Sequence, residues 1–188
     1  MTDALDKRPG LPGEFRYLEA TCPRSAWPTL DLHPTAQHWL EVHGWFRGQM
    51  KDLVDLGGAW REQKLAAGDY RLAATPRVRH LLNNLHHHHT IESSHAFPLL
   101  SAAEPLMANG FALLDRDHEA IEHLLSSMAD AANALIRAGR EPGADLTLMA
   151  TALTDHIDQT TTLIGRHLWD EEEIVVPVLT ARGDTLAI

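Results

Sequence analysis

One pattern is written twice in this chain. His88-x3-Glu92 followed by Pro98 and Leu100 returns as His167-x3-Glu171 followed by Pro177 and Leu179, with every position displaced by the same interval. A histidine and a glutamate four residues apart lie only about 40° apart around an α-helix of 3.6 residues per turn, so both can aim at one point in a bundle interior. One such pair is common; two in matched frames predict a duplicated, metal-binding helix end.

The apolar periodicity supplies the helices that such a motif needs. Prolines crowd residues 1–33, which predicts an irregular lead-in that wraps the rest. From Pro34 to about Leu56, Trp39, Leu40, Val42, Phe46, Met50, Leu53 and Val54 recur at helical spacing, with His43 on their face and Gly57-Gly58 as the stop. Ala59 to Ala74 shows no sustained period and reads as a connection. Thr75-Pro76 is an N-cap and first-turn signature opening a second helix to about His95, ahead of Pro98. A third runs from Pro105 or Phe111 to Ala138, closed by Gly139, with Phe111, Leu114, His118, Ile121, Glu122 and Leu125 on one stripe. A fourth follows Gly143 and Asp145 and ends about Glu173 ahead of Pro177; Leu153, His156, Thr160, Leu163, Ile164, His167 and Glu171 share its stripe. Ile174-Val175-Val176 is too short and too near Pro177 for a strand. The expected fold is all-α: an up-down-up-down four-helix bundle over residues 34–188, with an irregular extension over 1–33.

Charge and cysteine usage narrow the function. The net charge of -10 and scattered basic residues argue against a nucleic-acid partner. The single cysteine, Cys22, excludes an intrachain disulfide and any Cys-rich metal site. No apolar run reaches the roughly 18 residues of a membrane span, and the first residues carry no apolar leader, so a cytoplasmic protein without a membrane partner is expected. Histidine is the outlier, at 13 residues, and the run His86 to His89 is embedded in a helical pattern rather than placed as a terminal tag.

The ionisable residues on apolar stripes are His43, His88, Glu92, His118, Glu122, His167 and Glu171. Each helix contributes at least one. Burying several imidazoles and carboxylates together costs several kcal/mol per unpaired charge, and a cation at their centre is the simplest compensation. A dinuclear site fits the count, since Glu92 and Glu171 can each span two metals about 3.5 to 4 Å apart. Nitrogen and oxygen donors without sulfur suit iron or manganese, and the ligands alone leave zinc open as well. His38, His80, His86, His123 and His156 read as bystanders, with His95 and His156 as candidate pocket groups, and Glu172 and Glu173 as a solvated helix end.

His43, the segment His88-His89-Thr90-Ile91-Glu92 leading to Phe97-Pro98, His118, and the segment His167-Leu168-Trp169-Asp170-Glu171 leading to Pro177 resemble the hemerythrin-like (HHE) cation-binding domain over roughly Pro34 to Leu179. The resemblance implies a non-haem di-iron centre with His43 and His88 on one iron, His118 and His167 on the other, and Glu92 and Glu171 bridging. Two departures stand out. Oxygen-carrying hemerythrins place a second histidine four residues after the third-helix ligand, where this chain has Glu122, and they place the last acid five residues after its histidine, which would select Glu172; the internal repeat selects Glu171. An anionic donor at Glu122 would stabilise ferric iron and disfavour reversible dioxygen carriage. The resulting expectation is a di-iron protein reacting with dioxygen, peroxide or nitric oxide, in sensing, scavenging or redox catalysis. Its rivals are oxygen binding or iron handling without turnover, and an oxidase or oxygenase acting on an organic small-molecule substrate.

Overall fold

The computed structural model describes residues 4–186. Among them the secondary structure is entirely helical: α1 (Pro34–Arg61), α2 (Ala67–Ile91), α3 (Phe97–Ala103), α4 (Ala108–Ala138) and α5 (Leu146–Arg182). A π-helical turn, Glu92–Ala96, joins α2 to α3 without a break, so the chain forms four helical columns. This is a four-helix bundle with an N-terminal extension. The extension holds three short 3-10 turns, Gly13–Phe15, Tyr17–Ala20 and Arg24–Ala26.

The helices run longer than the punctuation of the sequence suggests, α5 past Pro177 to Arg182 among them, and several of the overruns have a local cause. Pro34 sits at the start of α1, where its missing N–H costs nothing, and His33 Nδ1 accepts the Thr35 N–H at 3.2 Å as a cap. Gly57 does not stop α1. A Cβ at that position would lie 2.6 Å from Thr154 Cγ2, so the glycine permits close approach to α5 instead. Thr75-Pro76 is likewise not a helix start, because α2 begins at Ala67 and passes through Pro76. The Thr75 hydroxyl turns back to the Arg71 carbonyl at 2.9 Å and Arg77 caps the Ala73 carbonyl at 2.8 Å, supplying side-chain donors where the proline disturbs the ladder. The π turn does the same service for Pro98. Phe97 N–H bonds back to the Glu92 carbonyl, and the widened turn absorbs the donor that Pro98 lacks. Asp145 Oδ1 caps α5 by accepting the Leu148 N–H at 3.0 Å, and Gly143, with φ of +82°, makes the turn before it.

The chain folds into two compact units, each drawing a stretch from all four columns. One comprises the residues up to Gly44, His88–Ala120 and those from Gly165 on; the other comprises Trp45–His87 and Ile121–Ile164. In the first, Leu11, Cys22, Trp27 and Leu32 of the extension pack with Phe97, Leu100, Met107, Phe111, Val175 and Leu179. The run Ile174-Val175-Val176 is fully buried helix, which explains its composition without a strand. The second unit is filled by Met50, Leu53, Val78, Leu81, Leu85, Ile121, Met128, Leu135, Leu153 and Ile157. Its one large buried polar side chain is Tyr70, whose hydroxyl lies 2.8 Å from Thr154 Oγ1. No helix among the described residues is long and apolar enough to cross a membrane.

Candidate metal centre

All the potential ligands that converge do so inside the first unit. α1 brings His43, the end of α2 brings His88 and His89, the π turn brings Glu92, α4 brings His118, and α5 brings His167 and Glu171. Their donor atoms fall into two groups, His43, His88, Glu92 and Glu171 in one, and His89, His118 and His167 in the other; within each, every donor lies within 4.8 Å of the rest. All are buried, apart from His88, which is partly so.

The two carboxylates connect the groups. Glu92 Oε1 is 2.9 Å from His88 Nε2 while its Oε2 is 3.5 Å from His118 Nε2. Glu171 Oε1 is 3.4 Å from His43 Nε2 while its Oε2 is 3.1 Å from His167 Nε2. Each glutamate therefore presents one oxygen to each histidine group. Trp39 Nε1–H donates to Glu171 Oε1 at 2.6 Å and fixes that carboxylate.

These atoms converge on shared points rather than on one another. Both Glu92 oxygens, Glu171 Oε2 and both ring nitrogens of His89 are buried and make no hydrogen bond, although ion-pair distances are short. Orphaned buried polar atoms are expensive. His43 Nε2 faces His88 Nε2 at 3.2 Å, and His118 Nε2 faces His167 Nε2 at 3.1 Å. Metal–nitrogen bonds of about 2.0 to 2.1 Å set at right-angle to tetrahedral geometry leave their nitrogens about 2.8 to 3.4 Å apart, so the donor set fits a cation in each group. Meanwhile the outward nitrogens are held: His43 Nδ1 by Glu172 at 3.0 Å, His118 Nδ1 by Ser93 at 2.9 Å, His167 Nδ1 by Asp117 at 3.4 Å. That is how ligating imidazoles are oriented.

Electrostatics show what the metal-free cluster must tolerate. Burial and the charge of Glu171 push Glu92 well above the usual carboxylate range. Burial also opposes ionisation of Glu171, but His43 and His167 outweigh it and hold that acid low. Burial, together with neighbouring histidines, keeps His89 well below its ordinary value and His118 at about 3, so both offer neutral nitrogen. His167 goes the other way, to about 9, because Asp117 and Glu171 overcome its burial.

Of the residues expected from the sequence, the structure brings together His43, His88, Glu92, His118, His167 and Glu171. It does not bring Glu122. That side chain is 42 % exposed and pairs with His86 Nδ1 at 3.0 Å. Glu122 shares the four-residue offset of the two motif pairs, but its side chain turns outward to meet His86 of α2. His89 supplies the nitrogen at the second group instead. Adjacent helical positions point about 100° apart, so His88 and His89 can serve two different groups; that was the available signal. Glu172 is not a solvated helix end, since it is buried against His43 and Arg24. Asp117 escaped notice because its role depends on partners from elsewhere in the chain. His95, a candidate pocket group, is exposed and pairs with Ser94, while His38, His80, His86 and His123 are exposed.

The family pattern of the hemerythrin HHE cation binding domain matches residues 35–179. The chain belongs to that family, whose domain binds metal, typically iron. No curated protein and no solved structure matches it.

Proposed function

We propose that this member of the hemerythrin HHE cation-binding family holds two iron ions, one at His43 and His88 and one at His89, His118 and His167, with Glu92 and Glu171 shared between them. The observation that carries this reading is the pair of buried glutamates that each offer one oxygen to either histidine group. Such a pair of ions, when bound, supplies redox chemistry toward dioxygen, peroxide or nitric oxide.

The residues divide the work. The His89 group offers three imidazoles and the His43 group only two, so the place for a small ligand is at the latter. Trp39, edge-on to His43 with ring centroids 6.2 Å apart, limits water there, while Phe97 stacks on His118 of the other group at 5.3 Å. His89 also changes the redox expectation. A neutral nitrogen stands in for the anionic oxygen of Glu122, which removes the sequence-based reason for favouring ferric iron. Reversible dioxygen binding without turnover therefore becomes the second reading, supported by five imidazoles against two carboxylates.

Elemental analysis of protein grown with ample iron should return about two iron per chain, as a two-metal site requires. Stopped-flow spectra of the reduced protein mixed with dioxygen then separate the two readings. Release of intact dioxygen under vacuum supports binding; irreversible oxidation supports turnover. Full occupancy by zinc, or one metal per chain, would sink the di-iron assignment.

A further inference from the structure

The N-terminal extension places two arginines against the metal centre, and they make equivalent connections. Arg8, 4 % exposed, donates from Nη1 to Asp117 Oδ1 at 2.7 Å and from Nε and Nη2 to Asp170 Oδ2 at 2.9 and 2.7 Å, with a further short contact from Nη2 to Asp117. Asp117 Oδ2 in turn faces His167 Nδ1 at 3.4 Å. Arg24 donates from Nη1 to Glu172 Oε2 at 2.7 Å and from Nη2 to the Trp169 carbonyl at 2.8 Å. Its guanidinium carbon lies 3.6 Å from the centroid of the Trp169 ring and 4.4 Å from that of Trp27. Glu172 Oε1 then reaches His43 Nδ1 at 3.0 Å. Each chain thus runs arginine, carboxylate, histidine, and each ends on a different histidine group.

A buried arginine between two buried aspartates is costly to assemble, and the extension already has Leu11, Trp27 and Leu32 to anchor it in the core. Anchoring alone does not call for it. A carboxylate that accepts from Nδ1–H fixes the tautomer whose Nε2 lone pair points inward, and a carboxylate held by a guanidinium fork cannot swing away.

We propose that the extension is a working part of the metal centre: Arg8 and Arg24 are positioning residues, each orienting one ligand histidine through a carboxylate, one for each metal. This rests on the two-metal reading above. Without Arg8, Asp117 and Asp170 face each other as buried like charges, and His167 loses a fixed acceptor. Arg24 is partly exposed, so its removal has the smaller effect.

Mössbauer spectra of iron-57-loaded protein, together with ferrous-iron affinity and metal content after gel filtration, provide the test. Arg8→Gln should perturb the signal of one iron and weaken its retention about 10- to 100-fold, the range for loss of an outer partner of a ligand. Arg24→Gln should perturb the signal of the other iron with a smaller loss. Arg8→Lys should restore charge but not the fork, and recover retention only in part. Arg16→Gln, in the same extension but in neither chain, should change neither signal. If Arg8→Gln does not fold, Arg24→Gln and Asp117→Asn still decide. Folded variants with both iron signals and affinities unchanged, or with both irons equally perturbed by each substitution, overturn the proposal. Wild-type protein that takes up no second metal instead overturns the reading beneath it.

Discussion

The same four helical columns are filled in two different ways. In the unit of Trp45–His87 and Ile121–Ile164 the interior is apolar side chains, relieved by Tyr70, which stacks on Trp60 and meets Thr154. In the other unit His43, Glu92, His118, His167 and Glu171 occupy stripe positions that the periodic pattern would otherwise assign to apolar residues, and His89, Asp117, Asp170 and Glu172 are buried as well. Helical periodicity is thus indifferent to what it buries. Apolar packing fills one unit almost throughout, whereas the other sets an apolar core beside buried charges that Arg8 and Arg24 partly offset.

The comparison breaks most severely at the carboxylates and histidines of the polar interior. His167→Ala should lower iron content from about two per chain to one or none, read by elemental analysis, because His167 Nε2 faces both His118 and Glu171. Wild-type stoichiometry in that variant would mean that the imidazole is not a ligand. In the apolar interior, Leu81→Ala should cost about 2 to 5 kcal/mol in chemical unfolding while the folded variant keeps its iron, since the leucine is wholly buried and lies in the unit that holds none of the converging donors. Loss of iron in step with stability would show that the two interiors are not separable in this way.

A smaller effect sharpens the contrast through pH. In chelated protein, Glu92, His43 and His167 all sit above their ordinary values. Raised groups bind protons more tightly when folded, so their contribution is present at low pH and lost as pH rises through the folded value, about 9 for His167. The melting temperature of the chelated protein should therefore fall between about pH 6.5 and 9 relative to the iron-loaded form, whose ligands have already released those protons. Parallel curves would mean that the protons stay on in the loaded protein. The least effect belongs to Glu122→Gln. Its ion pair with His86 is at the surface, where such pairs are worth about 0 to 1 kcal/mol, so iron content and midpoint potential should not move. A shifted potential would return Glu122 to the centre.

How much of this was legible beforehand depended on whether a relation lies within one helix or between several. The repeated histidine and glutamate pairs share a face by helical geometry alone, and the structure brings both pairs together. Register within a helix is set by 3.6 residues per turn, so His88 with Glu92 and His167 with Glu171 needed no partner to be recognised. Helix boundaries were less legible, because Pro76, Pro98 and Pro177 are normally stops, and here a threonine back-bond and a π turn carry the chain past the first two.

The sequence by itself determined four amphipathic columns and a family, and it named seven residues as an inward-facing set, of which His43, His88, Glu92, His118, His167 and Glu171 converge. Only the tertiary structure decided that His89 and not Glu122 completes the second histidine group, that Glu172 is buried against His43, and that Arg8 reaches Asp117 from an extension with no period to read. The physical reason is that a helix repeats its own geometry along the chain, whereas the meeting of side chains from different helices, or from an irregular segment, depends on how whole surfaces pack.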